Sequence, residues 1–107
     1  MTMTPIRRHM DPSYSALRPL LGSSVTVSAS VLDGGGVVPL TLESLSTPVS
    51  WGGATTYSLR LTGPTDVRLS QGRYEVVHAE CTFVLSLFQV AEEAMHVHYE
   101  SYLSEPV

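Results

Sequence analysis

Residues 24–31 read Ser-Val-Thr-Val-Ser-Ala-Ser-Val, so Val25, Val27, Ala29 and Val31 alternate with serine and threonine. In an extended chain successive side chains point to opposite faces, and this rhythm predicts a half-buried β-strand. Asp33-Gly34-Gly35-Gly36 follows and reads as a hairpin turn, because glycine accepts the positive φ that tight turns require. A phosphate-cradling role for the same glycines has little support. The chain has no lysine to reach a phosphate, and no helical pattern follows the run.

The rhythm continues outward from this hairpin. Val38, Leu40, Leu42 and Leu45 predict a second strand, which Pro39 should start late or place at a sheet edge, because proline lacks the N–H of a central strand. Tyr57, Leu59 and Leu61 alternate with Ser58, Arg60 and Thr62 in a third, broken by Gly63-Pro64-Thr65-Asp66. Tyr74, Val76 and His78 share a face of a fourth. Cys81–Val90 is apolar at both parities and predicts a central strand buried on both faces. Met95–Leu103 forms the last. Upstream, Pro12–Leu21 predicts a short helix, with Asp11 as N-cap, Pro12 at the first helical position and Gly22 at the stop. Tyr14, Leu17 and Leu21 give it one apolar stripe, suited to a lid over an open sheet end, and Pro19 should shorten or kink it.

The connections are short, which favours antiparallel hairpins over helical crossovers. The expected fold is therefore all-β: a six-stranded antiparallel barrel or sandwich with one short N-terminal helix. Residues 12–107 form a single β domain, preceded by a flexible arm at residues 1–11. A chain of 107 residues has no room for a second sizeable core.

Composition narrows the function classes. Ten acidic against six basic residues give a net charge of −4, which disfavours a nucleic-acid partner. The single cysteine, Cys81, excludes an intrachain disulfide. No apolar run approaches the roughly 20 residues that span a bilayer, so no membrane partner is expected. The N-terminus lacks the apolar stretch of a signal peptide, and the expected location is cytoplasmic or within an exported assembly.

The sharpest chemical signal is His96-Val97-His98-Tyr99-Glu100. On a strand, His96, His98 and Glu100 form one row, and two imidazoles with a carboxylate can hold zinc, copper or nickel. The plainer reading puts Met95, Val97, Tyr99 and Leu103 on the core face and the histidines in solvent. His78 and Cys81 could pair as a thiolate nucleophile, but no local pattern supplies an orienting carboxylate or oxyanion donors, and a core cysteine is the simpler reading. Serine is abundant, yet no G-x-S-x-G elbow occurs. Glu92-Glu93 reads as a solvated connection. Trp51 lies in a glycine-flanked loop, where a tryptophan either folds back over a barrel end or serves as an interface anchor. Arg7 and Arg8, with His9, form a small positive cluster suited to an acidic face of a partner.

The run Thr56-Tyr-Ser-Leu-Arg-Leu-Thr-Gly-Pro64, then Leu69-Ser-Gln-Gly-Arg-Tyr74 and His78, resembles a family of small bacterial domains of unknown function. That family reads approximately F-S-L-x-F-x-G-P, then L-P-Q-G-T-Y-x-L-x-H, then G-x-F-x-L-F-L-V-P-V, with a closing Y-x-A-x-F. Phe83, Leu85, Leu87 and Val90 fall on its third segment, His96–Glu100 on its closing strand, and Leu20-Leu21-Gly22 on its opening L-L-G. Cys81-Thr82 and Gln89 stand where the family has glycine and proline, which affects the bends around that strand. The resemblance implies no catalytic residues. Members of that family often lie near genes for phage-tail-collar-like proteins, so the resemblance implies an accessory or structural part in an assembly.

Together these readings predict a non-catalytic structural or interaction module of a larger bacterial or phage-tail-like assembly, without a cofactor. It would bind a protein partner or itself through Trp51, Arg7 and Arg8, or by strand addition along a Val37–Leu45 edge. The alternative is a metal-binding domain built on His96, His98 and Glu100.

Overall fold

The computed structural model describes residues 8–30 and 34–106. Its strands are β1 (Arg8–His9), β2 (Ser24–Ser28), β3 (Val37–Leu45), β4 (Val49–Trp51), β5 (Ala54–Gly63), β6 (Gly72–Val77), β7 (Cys81–Glu92) and β8 (Val97–Pro106). Helix α1 (Tyr14–Leu17) runs into a 3-10 turn at Arg18–Leu20.

Six of the strands close on themselves in the order β2-β3-β5-β8-β7-β6 and back to β2, each pair antiparallel. The ring is not evenly round. β5 and β8 pair from Ala54–Pro106 to Gly63–Val97, whereas β2 and β6 meet only at Thr26–Val77. The six strands read from the sequence are these six. Two short strands went unread because neither is long enough to show a period. β4 folds back on β5, and β1 lies parallel to the start of β7, which makes the whole sheet mixed and not purely antiparallel.

The period-two apolar positions fill the interior. Val25, Val27, Leu40, Leu42, Leu59, Leu61, Phe83, Leu85 and Tyr99 are fully buried. β7 alternates like the rest and is not buried on both faces: Phe83, Leu85 and Leu87 point inward, while Ser86 is exposed and Phe88 half-buried outside. A ring has one interior, and among the described residues none covers the outer face of β7 at Ser86.

Both ends are closed. At one, α1 inserts Leu17 into the core, and the Tyr14 ring meets the Tyr57 ring edge-on at 5.3 Å. Glu105 accepts the Tyr14 backbone N–H at 2.5 Å and the Tyr57 hydroxyl at 2.7 Å. The cap of α1 is Ser13, whose Oγ accepts the Ala16 N–H at 3.2 Å, and not Asp11 as expected. Pro19 has no N–H for an α-helical bond, so the helix ends after one turn and tightens into the 3-10 segment. Gly22 then takes φ +88°, as its place at the stop predicts. At the other end, residues 64–71 cross from β5 to β6, which are not neighbours in the ring, and Leu69 plugs the opening.

Two expectations about exposed chain are corrected. β3 pairs with both β2 and β5 and is no edge strand. Pro39 is tolerated because hydrogen-bonded pairs in the β2–β3 ladder, such as Leu42 N–H to Ser23 C=O and Ala29 N–H to Gly36 C=O, alternate past it. Its nitrogen faces β5, beyond the last β3–β5 pair at Thr41–Thr62. Of the expected arm, residues 1–7, including Arg7, lie outside the described residues. Arg8 and His9 are strand-paired, and Met10 donates its N–H to the Thr82 carbonyl at 2.8 Å, so residues 8–10 are docked instead of free.

Candidate interaction surface

The β4–β5 hairpin turns through Gly52 and Gly53 at φ +60° and +83°. Positive φ at both central positions is the geometry of the two-residue turn that matches strand twist, and glycine adopts it without strain. The turn fixes the register Val49–Thr56, Ser50–Thr55 and Trp51–Ala54. Ser50 and Thr55 share one face, with their hydroxyls 3.0 Å apart. Val49 and Trp51 take the other, which continues through Thr56–Ser104 and Ser58–Tyr102 onto β5 and β8. It is the outer surface of the ring, since Tyr57, Leu59 and Leu61 point inward.

On this surface Trp51 is 84% exposed, Tyr102 61% and Val49 60%. Trp51 therefore does not fold back over a barrel end; the tight turn holds it away from the ring. The Phe88 ring supports Tyr102 at 5.7 Å, and the Tyr102 hydroxyl donates to Glu100 at 2.8 Å. Between β4 and β8 runs a shallow groove of about 370 Å³ lined by Val49, Thr56, Ser58, Tyr102 and Ser104 among others. Residues 44–59 carry no charged side chain, in a chain of net charge −4. Arg8 is not part of this surface. It lines a separate groove with Met10, Leu20, Glu80 and Cys81.

The His-x-His-x-Glu row does not assemble. β8 begins at Val97, which leaves His96 exposed in the preceding turn, and Met95 is 75% exposed and not on the core face. His98 and Glu100 do share the outer face, but each has other company. Glu100 accepts from Arg60 at 3.2 Å as well as from Tyr102. His98 is buried between two carboxylates, with Nδ1 3.7 Å from Glu43 and Nε2 3.3 Å from Glu93. These nitrogens lie on opposite sides of the ring, so no single ion meets both carboxylates through them. Among the described residues no group of three His, Cys, Asp or Glu side chains is arranged for a metal. The approach of Glu43 depends on a register shift between Leu42 and Ser44. Its one signal in the sequence is the Leu42–Leu45 spacing, which breaks the alternation.

His78 and Cys81 sit at the two ends of a tight turn, joined by the His78 N–H and the Cys81 carbonyl at 2.9 Å. Nδ1 of His78 accepts the Glu80 N–H at 3.2 Å. Burial, and then the Glu80 carboxylate, push the Cys81 thiol up, and Sγ rests 4.0 Å from Met10 Sδ. Both effects disfavour a thiolate.

Residues 12–102 match a family model described as a domain of unknown function (DUF6916). The chain belongs to this family. The DUF6916 match spans α1, Trp51 and most of the ring, and ends within β8. No curated protein and no solved structure matches the chain. Among the described residues no helix is long and apolar enough to cross a membrane.

Proposed function

We propose that this DUF6916 chain is a non-catalytic interaction module, a closed scaffold that presents the β4–β5–β8 surface to a protein partner within a larger assembly. The observation that carries this reading is Trp51, 84% exposed at a tight hairpin tip beside Val49 and Tyr102. Burying such a side chain against a partner is worth about 1.5–3 kcal/mol, and tryptophan is enriched among residues that dominate binding energy. Around the hairpin, residues 44–59 add no ion that contact would have to desolvate. The bacterial, phage-tail-like setting rests on the resemblance drawn from the sequence, and a proteinaceous assembly is the setting in which such a surface is used.

The test is affinity capture from the native host with tagged wild-type chain and with Trp51→Ser, a surface change expected to alter stability by less than about 0.5 kcal/mol. Wild type is expected to retain a defined protein that the variant loses. Identical captures by both, at matched folding, would refute the reading.

A further inference from the structure

We infer that the occupant of this surface is a second copy of the same chain, added edge to edge along β4 in an antiparallel, two-fold arrangement. The inference rests on the interaction-module reading and names its partner. β4 pairs with β5 alone among the described residues, so its other edge is open. Trp51 and Ala54 flank a two-residue turn and are the hydrogen-bonded pair of the ladder. Alternation then aims the backbone N–H and C=O of Ser50 outward. An antiparallel copy centred on Ser50 sets Ser50 opposite Ser50, and the two residues exchange both bonds.

The same operation sets Val49 of each copy opposite Trp51 of the other, on the face where both are exposed. A β-branched residue opposite an aromatic one is a favourable cross-strand pair, and two-fold symmetry supplies it twice. Charge at this flank does not oppose a like partner. Two chains of net charge −4 repel, yet the stretch 44–59 holds no charge, so this flank lets two copies approach without opposed carboxylates. Open edges are ordinarily protected by lysine, other charges or inward-pointing ions, and β4 has none of them. Its protection is its length of three residues, which suits a reversible dimer and not a fibre.

Sedimentation velocity from micromolar to millimolar chain, with Trp51 emission followed in parallel, tests the inference. Wild type is expected to convert from monomer to dimer with a blue shift of the emission. Ser50→Pro removes the outward N–H while keeping the backbone bonds of the β4–β5 ladder, giving up inside the hairpin only the Ser50–Thr55 hydroxyl contact, and is expected to weaken association roughly tenfold or more. Val49→Lys, checked for folding by circular dichroism, serves if the proline variant does not fold. A monomer throughout the range overturns the inference, as does a dimer that both folded variants leave unchanged. Either result, with partner capture still dependent on Trp51, leaves the interaction-module reading standing.

Discussion

The Tyr99 hydroxyl, at the buried end of a core side chain on β8, accepts the backbone N–H of Leu69 at 3.0 Å. The bond ties the 64–71 crossover to the interior and lets the fold bury the Leu69 backbone without leaving its donor unpaired. The same crossover is held on its outer side by the Arg68–Glu92 ion pair and by the Tyr74 hydroxyl, which donates to the Ser70 carbonyl at 2.6 Å.

Tyr99→Phe keeps the ring and removes the acceptor. It is expected to cost about 1–3 kcal/mol, the penalty of an orphaned buried N–H. Urea unfolding gives the value. Amide exchange at Leu69 should accelerate more than exchange in β5. A stability equal to wild type would mean that the bond is replaced by water.

Glu105 predicts an acid-side dependence. The Tyr14 backbone N–H first, and the Tyr57 hydroxyl second, hold its carboxyl below the usual carboxylate range. A value lower in the folded than in the unfolded chain stabilises the fold above the unfolded value, and that stability is lost as pH falls through the folded one. Glu105→Gln should therefore melt below wild type at pH 7, with the difference narrowing as the buffer is acidified. Tyr57 moves the opposite way: burial and then the Glu105 hydrogen bond push its hydroxyl up, so stability also declines as pH rises past the ordinary tyrosine value of 10.0. Melting curves across pH for both chains check the two limbs.

Gly63 has no room for a side chain. A Cβ there would lie 2.6 Å from Leu40 Cδ2 and 3.5 Å from Tyr99 Cε2. Gly63→Ala is expected to destabilise by about 1–3 kcal/mol through overpacking, although alanine suits a strand better than glycine. Gly63→Ala combined with Leu40→Val should recover part of the loss, since the clash is with a Leu40 methyl. No recovery in denaturant unfolding would place the strain elsewhere.

Zinc titration separates the interaction reading from the metal one. With Glu100 engaged by Arg60 and Tyr102, and His98 facing Glu43 and Glu93 on opposite sides, calorimetry at neutral pH is expected to show only heat of dilution. A saturable signal lost in His98→Ala would restore the metal reading.

The alternation after Gly22 was enough to locate the six ring strands and their inward side chains, because burial of one face is a local property of a period-two chain. The end-closing helix was readable too, although its cap was not: Asp11 and Ser13 are both good caps, and which one serves depends on where the helix docks. Everything that closes the ring depends on residues far apart in the chain. The β5–β8 pairing, the single Thr26–Val77 junction, the plug at Leu69 and the parallel docking of β1 on β7 have no local signature. The candidate surface divides the same way. Trp51 is conspicuous in the sequence, but its exposure follows from a Gly-Gly turn that folds β4 onto β5, away from the interior. The His-x-His-x-Glu spacing promised a shared row, and the strand start and a bulge at Glu43 gave its members different neighbours. Periodicity sets which way a side chain points; only the packed chain sets what it meets there.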